Sequence, residues 1–148
     1  MEHIVCAVRG SPQSRTTVTR AIDMALEHDA KLTFLYVADA EFQAQAAIGS
    51  PLSVVYQELT QMAEFSMLIL CDRAQRRGAK NVEYVIRIGN IRKQLLQYAA
   101  ETRADAFVMG WPLRGSRPIF TPEEFESFAL ELERTAHPLL IRVPPAEE

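Results

Sequence analysis

Short unbroken apolar runs alternate along this chain with stripes of apolar residues spaced three to four apart, and that alternation most constrains its fold. His3 to Val8 reads HIVCAV and Leu32 to Val37 reads LTFLYV. Runs without a polar residue at every second position belong to strands covered on both faces. Between them, after an Arg9-Gly10-Ser11-Pro12 turn, Val18, Ile22 and Leu26 with Ala21 and Ala25 predict one face of a helix over Ser14–His28. Ala38 to Gly49 has no period. Ser50-Pro51 then reads as an N-cap followed by proline at the first helical position. The stripe Val55, Leu59, Met62, Ser66, Ile69 and Arg73 predicts a long helix to Arg77, stopped by Gly78.

The second half repeats the scheme. Val82 to Ile88 is a third strand whose partial alternation suits a sheet edge. Gly89-Asn90 opens a helix striped by Ile91, Leu95 and Tyr98/Ala99, and Ala106 to Met109 is a fourth strand. Thr121-Pro122-Glu123-Glu124 starts a last helix with Phe125, Phe128 and Leu132 inward, and Leu139 to Val143 is the fifth strand. Strands alternating with helices this long need right-handed crossovers, so the predicted fold is α/β: a three-layer sandwich, with a parallel sheet between helices. Five strands and four helices use up the 148 residues, which predicts a single domain over 1–148.

Composition removes other classes. Hydrophobic residues make up 48% and charged residues 24%, as in soluble globular chains. A net charge of −3 gives no general attraction to nucleic acid or anionic membrane. The cluster Arg73, Arg76, Arg77 and Lys80 reads as a solvated helix end. No basic-then-apolar leader opens the sequence and no run approaches a membrane span, so the expected location is cytoplasmic, with no nucleic acid and no membrane as partner. Cys6 and Cys71 fall in a strand and a helix and read as buried hydrophobes.

Catalytic patterns are missing from the sequence. His3, His28 and His137 have no metal-ligand spacing, so no metal is expected. Ser11, Ser14 and Ser116 lack a Gly-x-Ser-x-Gly elbow, and neither a dinucleotide fingerprint nor a P-loop follows any strand. The expectation is a protein without catalytic residues.

Five segments together resemble the universal stress protein family: Ile4-Val5-Cys6-Ala7-Val8-Arg9-Gly10-Ser11, Ala30 to Val37, Gly89 with its helix, Ala104-Asp105-Ala106-Phe107-Val108-Met109-Gly110, and His137-Pro138-Leu139-Leu140-Ile141. The resemblance implies a Rossmann-like sheet of order 3-2-1-4-5, related to the adenine nucleotide alpha hydrolases, with a crevice above strands 1 and 4. Open parallel sheets bind ligands at that reversal of winding. It also implies adenine contacts from Ala7, Val8 and Val37, and phosphate contacts from a loop of the form Gly-x-x-Gly, about nine residues, then Gly-Ser or Gly-Thr. Here Gly110 keeps the first glycine, Leu113 replaces the second, Gly115 is out of step, and Thr121-Pro122-Glu123-Glu124 stands near the closing pair. Arg9 stands where the family has aspartate.

Thr121 and Glu124 have capping-box spacing, which would satisfy the N–H groups that phosphates need. A carboxylate about 6 Å from a unit anion repels it by roughly 0.7 kcal/mol even in a water-like dielectric. The sequence therefore predicts no cofactor and no ATP. An alternative is an ATP, AMP or anion site in which Arg9, Arg114 and Arg117 converge on the crevice. Against it, those arginines could pair with Glu123, Glu124 and Glu126. Trp111 would fill the crevice or stack on a base. The last strand, Leu139, Leu140, Ile141, Arg142 and Val143, is an edge with few charges, and the resemblance implies a homodimer through it. The resulting expectation is a non-enzymatic, stress-associated regulatory homodimer acting on unidentified protein partners.

Overall fold

A computed structural model describes residues 1–8, 15–39, 52–110, 122–136 and 138–144. In chain order the elements are β1 (His3–Val8), α1 (Arg15–His28), β2 (Lys31–Asp39), α2 (Leu52–Arg76), β3 (Val82–Gly89), α3 (Ile91–Thr102), β4 (Ala106–Gly110), α4 (Pro122–Ala136) and β5 (Leu139–Val143). The strands form one parallel sheet of order β3-β2-β1-β4-β5. That is the order the resemblance implied.

The unbroken apolar runs are explained by two cores. Ile4, Cys6, Val8, Leu32, Phe34 and Val108 face α1 and α2, where they meet Val18, Ile22, Met67 and Ala74. Val5, Leu35, Phe107 and Met109 face α3 and α4, against Leu95, Tyr98, Phe125, Phe128 and Leu132. Every second residue of a strand turns to the other core, so both must be apolar. β3 is an edge strand and most of it is half-buried, as its alternation predicted. Both cysteines are buried, and burial raises their thiol pKa values.

Helix ends follow local chemistry. Gly78 adopts φ 111° just past α2, a conformation that residues with a Cβ rarely take. At α3 the Asn90 Oδ1 accepts a bond from the Lys93 N–H at 3.0 Å, and Arg103 closes the helix in the left-handed region.

α2 departs from its predicted face. Met67, Cys71 and Ala74 are buried, whereas Met62 and Phe65 are each 68% exposed and Leu68 and Ile69 each 54%. The sequence stripe picked up Met62 and Ile69, which lie outside the core. At 100° per residue the exposed apolar side chains sit nearly opposite Met67, Cys71 and Ala74, which belong to the core. Val55 and Leu59 of that stripe have side chains outside the described residues.

Candidate functional site

The sheet opens at its carboxyl end between β1 and β4. Their paired register stops at Cys6–Val108, two residues before each strand ends. β1 stays paired with β2 as far as Val8–Tyr36, and β4 stays paired with β5 as far as Gly110–Val143. The gap is therefore confined to the strand pair where the winding reverses, the expected place for a ligand crevice.

The sequence-predicted site residues reach this end unequally. Ala7 and Val37 pack at the edge of the α3–α4 core and are half-buried. Val8 turns to the α1–α2 core and is 7% exposed. The three thus line the same end of the sheet but two different faces. Gly110 closes β4, and a Cβ built on it would lie 3.0 Å from the Thr17 Oγ1 of α1. Thr17, which the sequence reading passed over, is itself buried. Glycine is the residue that lets the end of β4 approach α1 this closely. Arg9, Arg114, Gly115 and Arg117 lie outside the described residues, as do Trp111, His137 and Thr121 of the capping box.

At the start of α4, Glu123 and Glu124 are exposed and make its first turn acidic. Glu126 points to β5, not back toward the crevice. Its carboxylate accepts both terminal nitrogens of Arg142, one bond measuring 3.1 Å, and that guanidinium lies 5.5 Å from the centre of the Phe125 ring. The pairing of Glu126 with Arg9, Arg114 and Arg117 that the sequence offered lies outside the described residues, among which its partner is Arg142. Side chains of α4 and β5 face one another because they share the second core.

Pairing removes Arg142 as an isolated charge from the edge. What remains is apolar: Leu139 is 52% exposed, Leu140 and Ile141 are half-buried, and Val143 is buried. With Leu130 of α4, 58% exposed, Leu139 and Leu140 line an open cleft of about 490 Å³ that Glu126, Glu133 and Arg142 also border.

The amino end of the sheet holds a polar network that no motif announced. The fully buried Thr33 donates its hydroxyl to Glu83 Oε1 at 3.1 Å and lies 2.8 Å from His3 Nε2, from which its oxygen accepts. Lys31 Nζ is 3.0 Å from the same Glu83 oxygen. Asp105 Oδ2 accepts the backbone N–H groups of Glu2 and His3 at 2.7 and 2.9 Å. Burial and the Lys31 charge lower the His3 pKa, against the opposing pull of Glu83 and Asp105. Glu83 lies below the ordinary carboxylate value because its bonds to Lys31 and Thr33 outweigh desolvation, and Asp105 does so through its two backbone donors. β1 contributes His3, β2 Lys31 and Thr33 and β3 Glu83, while Asp105 stands just before β4, so parallel pairing assembles residues far apart in sequence. Among the described residues no cluster of histidine, cysteine and carboxylate side chains is arranged to hold a metal ion, and no helix is long and apolar enough to cross a membrane.

Comparison with known proteins follows the same lines. The model of the universal stress protein family matches residues 1–118, a stretch that ends before α4 and β5. No curated protein sequence matches the chain. Among solved structures, the universal stress protein UspA from Lactobacillus plantarum superposes with a TM-score of 0.73 at 22% identity, covering 96% of this chain and 97% of its own. A universal stress protein solved in complex with cAMP gives 0.69 at 22%, covering 98% of each chain. One from Archaeoglobus fulgidus in complex with dAMP gives 0.64 at 16%, covering 97% of this chain and 98% of its own. At these identities the superpositions establish the fold.

Proposed function

The chain belongs to the universal stress protein family, and from that premise we propose that it is a stress-associated regulatory protein, a homodimer that acts through protein contacts and turns over no substrate. The observation that carries this reading is the β5 edge. An edge strand with open backbone groups, exposed Leu139 and Leu130 beside it, and its arginine already paired to Glu126 is suited to adding a second strand. A two-fold axis beside β5 would join two sheets and cover the cleft beneath it. The whole of 1–148 acts as one domain, in the cytoplasm, without a cofactor, nucleic acid or membrane.

A second reading rests on a separate observation: the gap between β1 and β4 with Gly110 at its rim. Neighbours of the same fold are described in complex with cAMP and dAMP. On this reading the chain is a nucleotide or anion sensor, with Ala7, Val8 and Val37 toward the base and Arg9, Gly110, Arg114, Gly115 and Arg117 toward the phosphates. The acidic first turn of α4 weighs against it for ATP, because Glu123 and Glu124 lie at the helix end that would otherwise receive an anion.

Two measurements decide between them. In light scattering after gel filtration, Leu139→Asp should halve the mass of the wild-type particle; an unchanged mass sinks the β5 dimer. In thermal unfolding, ATP, AMP, cyclic AMP and phosphate are titrated with and without magnesium. A ligand at a hundred times its dissociation constant stabilises by about 2.7 kcal/mol, well above detection. The regulatory reading expects no shift with ATP. A shift that Arg114→Ala abolishes establishes the sensor.

A further inference from the structure

We propose that the outer face of α2 is a second self-association surface, on which two copies pack antiparallel about a two-fold axis through the Phe65–Ile69 turn. Met62, Phe65 and Ile69 follow one another at spacings of three and four, with Leu68 alongside, and all are more than half exposed. Continuing the spacing in both directions reaches Glu58, then Asp72 and Arg76, so an apolar seam is closed by charge at each end. Met67, Cys71 and Ala74 already fix α2 to the sheet from its opposite side. Among the described residues the apolar seam thus turns away from the core, with more than half of each residue's surface exposed.

Size and charge identify the occupant. Side chains of about 200 Å² exposed to this degree leave roughly 500 Å² per copy, so these residues alone would bury up to about 1,000 Å² between two copies, the lower bound for a specific contact. Glu58 has no ion-pair partner among the described residues, while the other end of the helix holds Arg76 and Arg73, the latter donating to the Thr19 hydroxyl of α1 at 2.6 Å. Arg76 pairs only with Asp72 of its own helix, at 2.9 Å and with both side chains largely exposed. An antiparallel arrangement lays Met62 of one copy beside Ile69 of the other and brings each Glu58 to the Arg73–Arg76 turn of its mate. A parallel one would set Glu58 on Glu58 and Arg76 on Arg76. Complementary charge thus selects a second copy in one orientation.

This surface is independent of β5, which lies at the other edge of the sheet, whereas α2 packs on the β3 side. Analytical ultracentrifugation of the full chain over a dilution series tests it. Phe65→Asp should halve the mass of wild type at the same concentration, with the circular dichroism of the fold intact because the side chain is exposed. Glu58→Lys and Arg76→Glu should each weaken this association about tenfold, and the two together should restore it to within about threefold. Equal masses for wild type and Phe65→Asp at every concentration would overturn the proposal. If wild type shows no such association but binds phosphatidylcholine vesicles and Phe65→Asp does not, the face belongs to a lipid surface and the proposal falls. Failure of the charge exchange to restore association would overturn the antiparallel packing.

Discussion

Thr33 is a hydroxyl fully buried in a sheet of apolar side chains, held there because His3 and Glu83 on the flanking strands satisfy it. Thr33→Val keeps the shape and removes both bonds, so unfolding free energy should fall by about 1–3 kcal/mol, measurable by urea denaturation. The same network makes stability depend on pH. Burial and Lys31 hold the His3 pKa below its unfolded value of about 6.5. The folded state therefore binds that proton less readily than the unfolded chain. The His3 contribution is complete above about pH 6.5 and is lost as pH falls toward the lower folded value. Denaturation midpoints should decline between about pH 7 and 5 in wild type and stay flatter in His3→Gln. Glu83 and Asp105 titrate below that window, and their contribution disappears only on further acidification. At the other end of the sheet, Gly110→Ala would press a methyl group onto Thr17 Oγ1 at 3.0 Å. Overpacking of this kind costs about 1–3 kcal/mol. Combining it with Thr17→Ala should recover most of the loss, and a double-mutant cycle reads the coupling.

At the scale of elements, α3 shows how far a local cap can be trusted. Gly89-Asn90 marked its start in the sequence, and the Asn90 side chain binds the Lys93 N–H as an N-cap does. Asn90→Ala should cost about 1 kcal/mol in thermal or chemical unfolding. Elements of this sort were legible because the signal and its partner lie within a few residues. The inward face of α4 was legible too, since Phe125, Phe128 and Leu132 follow one another at spacings of three and four, and all are fully buried. α2 was not. It carries two apolar faces, and periodicity weighs size and spacing without knowing which side the sheet occupies. Its inner face uses Met67, Cys71 and Ala74, leaving Met62, Phe65, Leu68 and Ile69 outside. The His3–Thr33–Glu83–Asp105 network was illegible for a different reason. Its members become neighbours only through strand register, which places Thr33 opposite Glu83 and next to β1. The crevice was legible as a place, from the winding reversal, but the separation of Ala7 and Val37 from Val8 required knowing which core each side chain enters.

Over the whole molecule the two ends of the sheet are unlike. At the amino end, side chains from β1, β2 and β3 are hydrogen-bonded together and Asp105 ties the start of the chain to the approach to β4. At the carboxyl end, β1 and β4 part after Cys6–Val108. Opening should therefore begin at the carboxyl end, where fewer bonds must break. Hydrogen exchange by mass spectrometry or NMR should find the Ile4, Val5 and Phe107 amides exchanging at the rate of global unfolding, with those of Val8 and Gly110 faster. Equal protection at both ends would mean that α1, through Thr17 against Gly110, closes the gap as firmly as the polar network does. The gradient also distinguishes the two functional readings on a single sample. A nucleotide in the crevice would slow Val8 and Gly110 selectively and leave β5 unchanged. Strand addition at the edge would instead slow the outward-facing amides of Leu140 and Arg142 with rising protein concentration and no ligand at all. Leu139 donates its N–H to Asp105 at 2.9 Å, so its protection comes from within the chain, and it serves as the internal control on the same strand.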